Sequence, residues 1–74
     1  MNTEHLVTMA NQIGDFFKSY PDQELAKKEL VHHLKRFWAS SMRQQLIEHV
    51  QQQQGTGLQP MVREAISQHQ ASLL

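Results

Sequence analysis

Apolar residues recur along the chain at spacings of three and four, which is the periodicity of one face of an α-helix. Four segments follow this pattern, and a capping or helix-breaking residue bounds each of them. We therefore predict four helices, over about residues 3–19, 22–38, 41–53 and 60–71. No segment alternates apolar and polar residues as a strand would. The pattern predicts an all-α fold, a small bundle of three main helices plus a shorter C-terminal fourth helix, with residues 1–74 forming a single helical domain.

The first predicted helix indicates contacts beyond its own apolar stripe, which consists of Leu6, Met9, Ala10, Ile13 and Phe17. Phe16 lies about 100° from Phe17 around a helix, so one of the two rings should face a neighbouring helix or a partner. Gly14 costs about 1 kcal/mol relative to alanine inside a helix. Two interpretations stay open at Gly14: either another backbone approaches closely there, or the glycine is merely tolerated.

The later helices carry equally regular apolar faces. The second has Ala26, Leu30, Leu34 and Phe37, joined by Leu25, Val31 and Trp38; the third has Met42, Leu46, Ile47 and Val50; the fourth has Val62, Ala65, Ile66 and either His69 or Leu73. Basic residues of the second helix, Lys27 among them, should lie mainly on its opposite side. Either Ser40 or Ser41 is expected to cap the third helix.

Length and composition restrict how such a bundle is stabilised. A chain of 74 residues buries only about 60% of its unfolded surface, so it commonly needs a disulfide, a metal or a partner. The absence of cysteine excludes disulfides and thiolate metal sites. Among the five histidines, only Glu29 and His32 form a Glu-x-x-His pair, whereas a di-iron bundle needs two such pairs. We therefore expect no catalytic, cofactor-binding or metal-binding residue in this chain.

Seven basic residues balance seven acidic ones, which argues against a dedicated nucleic-acid-binding protein. The basic residues nevertheless concentrate between Lys27 and Arg43, together with Phe37 and Trp38. This segment is either a solvated helix face, a nucleic-acid surface resembling a helix-turn-helix, or a contact for an acidic protein surface. No apolar run could span a membrane and no secretory signal is visible, so we expect a cytoplasmic protein.

Three segments, in this order and spacing, resemble the delta subunit of the soluble, NAD-dependent, molybdenum- or tungsten-containing formate dehydrogenases. They are Met9-Ala10-Asn11-Gln12-Ile13-Gly14-Asp15-Phe16-Phe17; His33 with Phe37-Trp38 and Met42-Arg43; and Gly57-Leu58-Gln59-Pro60 with Val62 and Ala65. Residues 39–41 depart from the family, because Ala39, Ser40 and Ser41 replace its acid, proline and base. We therefore expect a softer helix break at this point than proline would impose.

The resemblance implies a non-catalytic accessory subunit that contacts the large catalytic subunit of formate dehydrogenase and assists its assembly, cofactor loading or stability. Molybdopterin guanine dinucleotide, iron–sulfur clusters, FMN and NAD are then expected in the complex and not in this chain. The candidate contact residues are Phe16, His33, Phe37, Trp38, Met42 and Arg43, and Trp38 could equally belong to the core. In isolation the chain could also associate with itself. The alternative is a homo-oligomeric helical adaptor or a nucleic-acid-binding module that uses the basic 27–43 face.

Overall fold

The computed structural model describes residues 2–74, which form five α-helices and no strand. The helices are α1 (Thr3–Phe17), α2 (Gln23–Phe37), α3 (Ser40–Gln53), α4 (Pro60–Gln68) and α5 (Gln70–Leu73). They form a small bundle of 32 × 22 × 18 Å. The predicted all-α fold is therefore confirmed. No helix within residues 2–74 combines the length and the apolar character that crossing a bilayer requires.

Polar side chains begin the first two helices. The Asn2 Oδ1 accepts hydrogen bonds from the backbone amides of Glu4 and His5, at 2.7 and 3.3 Å. In the same way, the Asp22 Oδ1 accepts hydrogen bonds from the backbone amides of Glu24 and Leu25, at 3.0 and 3.1 Å. These caps satisfy amides that have no partner within the helix. Asp22 therefore lies just outside α2, although the sequence pattern predicted it as the first helical residue.

The break between α2 and α3 is complete, although no proline enforces it. Trp38 and Ala39 both have extended backbones, with ψ angles of 142° and 149°. The expected softer break is therefore wrong. So is the expected serine cap, because Ala39 occupies the capping position and Ser40 is already helical. The physical reason is that the Trp38 ring turns into the core and ends α2.

The loop between α3 and α4 uses a left-handed backbone at three positions. Gln54, Gly55 and Gly57 have φ angles of 57°, 69° and 90°, a region that glycine enters without steric cost. The loop is fixed to α1 by Asn11. Its Nδ2 donates to the Gly57 carbonyl and its Oδ1 accepts from the Gln59 amide, both at 2.9 Å.

The predicted C-terminal helix over residues 60–71 is interrupted at His69, where φ is −114° and ψ is 26°. A short turn, α5, follows, and the Ser72 amide donates to the His69 carbonyl at 3.0 Å. The break allows α5 to lie against both α2 and α3. Leu73 is consequently buried, whereas His69 is only half-buried.

One apolar core runs through the bundle and takes residues from all five helices. Its fully buried larger side chains are Leu6, Leu30, Leu34, Leu46, Val62, Ile66 and Leu73. Gly14 lies where α4 crosses α1, and a Cβ atom there would overlap a methyl group of Val62. The expected approach of another backbone is therefore not seen at Gly14, because the nearest atoms belong to side chains, first among them Val62 of α4.

Two expectations about the α2 face are wrong. Phe37 was placed in the buried stripe but is 68% exposed. The reason is geometric, since the buried row advances by four residues, from Ala26 through Leu30 and Leu34, and so reaches Trp38. Lys27 was expected on the polar side but is buried, and its ammonium group is paired with the carboxylates of Glu24 and Glu64.

Candidate partner-binding surface

Four large hydrophobic side chains are exposed among residues 2–74, and two of them are phenylalanines in the last turns of α1 and α2. Phe16 is 70% exposed and Phe37 is 68% exposed. A series of ring contacts joins them through Phe17 and His33. We define the aromatic surface as Phe16, Phe17, His33, Arg36 and Phe37. It brings together residues that are up to 21 positions apart in the sequence.

Ring contacts hold the exposed side chains of the aromatic surface in place. The Phe16 and Phe17 ring centres are 4.9 Å apart at 87°, an edge-to-face arrangement that aromatic pairs favour. The His33 ring lies 6.4 Å from Phe17 and 4.8 Å from Phe37. The Arg36 Cζ lies 5.6 Å from the Phe37 ring centre, within the range of a cation–π contact. These contacts join the two exposed phenylalanines into one continuous surface across α1 and α2.

The helical period explains which rings are exposed. Phe17 continues the buried stripe of α1 and packs at 8% exposure. The adjacent Phe16 must then point about 100° away from it, which is toward solvent. On α2, His33 and Phe37 are four residues apart and so lie on the same face. Phe16 is 70% exposed and does not pack on a neighbouring helix, so of the two predicted environments for the second ring a partner contact stays a prediction.

A shallow groove of about 210 Å³ runs along α2 beside the aromatic surface. It is lined by Phe17, Glu29, His32, His33, Arg36 and Phe37. The α2 residues of this groove recur at the spacings that place side chains along one helix face. Its volume lies below the roughly 300–1,000 Å³ of pockets that enclose small ligands. The shape therefore favours contact with another macromolecule over capture of a small molecule.

Trp38, Met42 and Arg43 form a second cluster, which we call the junction. Trp38 is only 7% exposed, and Met42 is half-buried against the core. The Arg43 guanidinium donates to the carbonyls of Lys35 and Trp38, at 3.1 and 2.6 Å. Carbonyls at a helix C-terminus have no partner within the helix, so Arg43 supplies one.

A third bond from Arg43 extends the junction to the end of the chain. Its Nε donates to the Leu73 carbonyl at 3.0 Å. Arg43 therefore joins the end of α2 to α5 while projecting from the first turns of α3. The junction uses its aromatic and basic side chains inside the bundle.

The basic segment over residues 27–43 does not form one continuous basic face. Lys27 lies 3.0 Å from carboxylate oxygens of both Glu24 and Glu64. Hydrogen bonds to Glu64 and then to Glu24 raise the pKa of Lys27 above its usual 10.5. Lys35 donates to the Leu74 carbonyl at 2.9 Å, and Arg43 is bound within the junction. These contacts weaken the interpretation of the segment as a nucleic-acid surface.

The histidines are dispersed. Within residues 2–74, no group of three histidine, aspartate or glutamate side chains is arranged to hold a metal ion. His49 Nε2 lies 2.7 Å from the Thr56 carbonyl, which fixes the loop that follows α3. Iron–sulfur clusters are normally held by cysteine thiolates, and the sequence contains no cysteine. The residues present do not fit such a cluster.

The six predicted contact residues therefore fall into two groups. The structure brings Phe16, His33 and Phe37 together in the aromatic surface, and it brings Trp38, Met42 and Arg43 together in the junction. Phe17 and Arg36 belong to the surface but are not among the predicted contacts, and neither are the groove residues Glu29 and His32. Glu29, His32 and Arg36 stand at positions i, i+3 and i+7 of α2, and this spacing is the sequence signal that could have identified them as groove residues.

The chain is thus a small all-helical bundle with an exposed aromatic surface, and exposed apolar patches of this kind commonly mark interaction sites. Its sequence matches the family of the NADH-dependent formate dehydrogenase delta subunit, FdsD, over residues 5–66. The chain belongs to this family, which confirms the resemblance seen in its three sequence segments. No curated protein and no solved structure matches the chain.

Proposed function

We propose that this chain is a non-catalytic accessory subunit that docks on the large catalytic subunit of an NAD-dependent formate dehydrogenase. Docking assists the assembly, the cofactor loading or the stability of that subunit. The observation that carries the proposal is the aromatic surface, on which Phe16 and Phe37 remain about 70% exposed. Membership of a formate dehydrogenase delta subunit family supports a partner within that complex.

The energetics support a partner on this surface. Burial of a phenylalanine side chain contributes about 1.5–3 kcal/mol, so two exposed rings forgo a substantial stabilisation that docking would restore. Phenylalanine and arginine are also enriched in protein interfaces. Phe16 and Phe37 both stand in segments that carry the family resemblance, although neither contributes to the buried core.

The family resemblance implies a division of labour within the complex, which forms part of the proposal. The enzyme oxidises formate to carbon dioxide and passes two electrons to NAD. We assign the molybdopterin guanine dinucleotide, the iron–sulfur clusters, the FMN and the NAD site to the larger subunits. This chain has no cysteine, and its histidines are not grouped as ligands over residues 2–74. These observations support a contribution through binding.

Omission of the chain tests the proposal. The large subunit is expressed with its other partner subunits, either with this chain or without it. We expect less folded large subunit, a lower molybdenum or tungsten content, or both, when the chain is omitted. The purified chain alone, incubated with formate and NAD, serves as the control and should produce no NADH. An unchanged large subunit, or formate oxidation by the chain alone, would contradict the proposal.

A further inference from the structure

We infer that the groove on α2 receives a helical segment of the large subunit that carries an apolar centre and two charges in a fixed order. A basic residue of that segment lies opposite Glu29, an acidic residue lies opposite Arg36, and apolar side chains between them meet the rings of Phe17 and Phe37. This inference rests on the proposed function, since it describes the surface through which docking occurs.

The charge pattern of the groove is bipolar. Glu29 and Arg36 both line it and are seven residues apart on α2, which puts them on the same face about 10.5 Å apart along the helix. Their charges have opposite signs, and the rings of Phe17, His33 and Phe37 lie beside them. A partner that buries these rings should place a basic residue opposite Glu29 and an acidic residue opposite Arg36, because unpaired charges at an interface are costly.

The spacing of the groove residues along α2 is compatible with a helix as the occupant. An amphipathic helix laid in a groove presents side chains at i, i+3, i+4 and i+7, the same spacing that Glu29, His32, His33 and Arg36 show on α2. Two helices that pack side by side can therefore match charges two turns apart. The groove, at about 210 Å³, is shallow enough to remain open along the helix.

A second copy of the chain is the competing occupant, and the area of the surface argues against it. An aromatic side chain offers about 150–250 Å², so two rings at roughly 70% exposure supply about 300 Å². A stable interface buries about 800 Å² on each partner. A large subunit can extend its contact onto neighbouring faces of this small bundle, which a second small bundle does less readily.

The test is co-purification of the large subunit with tagged variants of this chain. Phe37→Ser should lower the recovered large subunit about tenfold or more, as loss of a central contact does. Arg36→Glu should also lower it, because it places a like charge opposite the acidic residue of the partner. Two matched controls are Leu25→Ser, an exposed leucine on the same helix, and Arg63→Glu, an exposed arginine on α4. Both should bind within about twofold of the wild type. All four variants are compared only after their helical circular dichroism matches that of the wild type.

Salt dependence provides a second measurement. Charges at the rim of an interface mainly affect the rate of association, and salt screens this effect. Recovery of the wild type should fall as salt rises, and Arg36→Gln should flatten this dependence whereas Arg63→Gln should not. An unaltered salt dependence in Arg36→Gln overturns the charge order proposed for the partner.

The outcomes separate the two proposals. If the wild type binds the large subunit and all groove variants bind equally well, the groove assignment fails and the proposed function stands. If the wild type itself does not bind, the proposed function fails first. Sedimentation of the isolated chain identifies the competing occupant: self-association that Phe37→Ser abolishes, with large-subunit binding intact, would overturn the inference in favour of a second copy.

Discussion

The junction and the aromatic surface are built from the same kinds of side chain and lie at neighbouring points of the fold, yet they use them in opposite ways. At the junction, Trp38 is 7% exposed and Arg43 donates three hydrogen bonds to backbone carbonyls. At the aromatic surface, Phe37 is 68% exposed and Arg36 lies over its ring. Phe37 and Trp38 are consecutive residues, so the change from surface to core takes place within one peptide unit.

The junction and the aromatic surface together show that residue type alone does not distinguish an interface from a core. Aromatic and basic residues are enriched in interfaces, but they also terminate helices and fill cores. What distinguishes the two regions is whether the hydrogen-bonding and apolar capacity of each side chain is met inside the chain. Arg43 and Trp38 are satisfied internally, whereas Phe16 and Phe37 leave apolar surface in contact with water. Three measurements of stability should therefore give different results at the junction and at the aromatic surface.

The largest effect is expected at Trp38. Replacement of a buried tryptophan by alanine costs about 3–5 kcal/mol, while a chain of this length is stable by roughly 4–11 kcal/mol. Trp38→Ala should therefore remove much of the stability in urea unfolding followed by circular dichroism. Phe37→Ala, one residue earlier, should change it by no more than about 0.5–1 kcal/mol. Equal losses at the two positions would show that the aromatic surface is part of the core.

An intermediate effect is expected at Arg43. Arg43→Met keeps the length of the side chain but leaves the carbonyls of Lys35, Trp38 and Leu73 without this donor. Hydrogen bonds from a charged group contribute about 1.5–3 kcal/mol, so we expect a loss of about 2 kcal/mol in the free energy of unfolding. The matched variant, Arg36→Met, should lose less than about 0.5 kcal/mol. A larger loss at Arg36 than at Arg43 would reverse the assignment of the two regions.

The smallest effect is expected at Lys27, and it depends on pH. The folded-state pKa of Lys27 is raised by Glu64 and then Glu24, so its stabilising contribution is fully present below pH 10.5. The contribution is lost as the pH rises through the higher folded-state value. The stability difference between the wild type and Lys27→Met should thus shrink above pH 10.5. Lys28→Met, which changes the neighbouring exposed lysine, provides the control and should show no such trend in unfolding measurements on both sides of that pH.

Much of the fold could be predicted because its signals are local. The spacing of Leu6, Ala10 and Phe17 predicts α1, and Pro60 marks the start of α4 at its first turn. The break at His69 has no comparable signal, since neither glycine nor proline stands there. The outward position of Phe37 also depends on a non-local fact, namely that Trp38 is the ring that α2 turns into the core.

The candidate site was harder to predict, because it joins residues from two helices. Phe16 and Phe37 are each of a residue type that is enriched in interfaces. Only the packing of α1 beside α2 brings them together through His33, which the sequence does not reveal. The first and third segments of the family resemblance also prove to be in contact. The Gln59 Nε2 donates to the Asp15 Oδ1 at 2.7 Å, a bond that, with a smaller effect from Lys18, lowers the pKa of Asp15.

The Asn11 side chain is hydrogen-bonded to Gly57 and Gln59, which lie 46 and 48 residues later in the chain, and this has a consequence for the order of folding. The loop it holds leads into α4, whose Val62, Ala65 and Ile66 are fully buried among the earlier helices. A nascent chain that has released only its first three helices from the ribosome therefore has an open apolar interior. The apolar interior is covered only when α4 docks, so a chain in which α4 has not yet docked is the form most vulnerable to proteases and to aggregation.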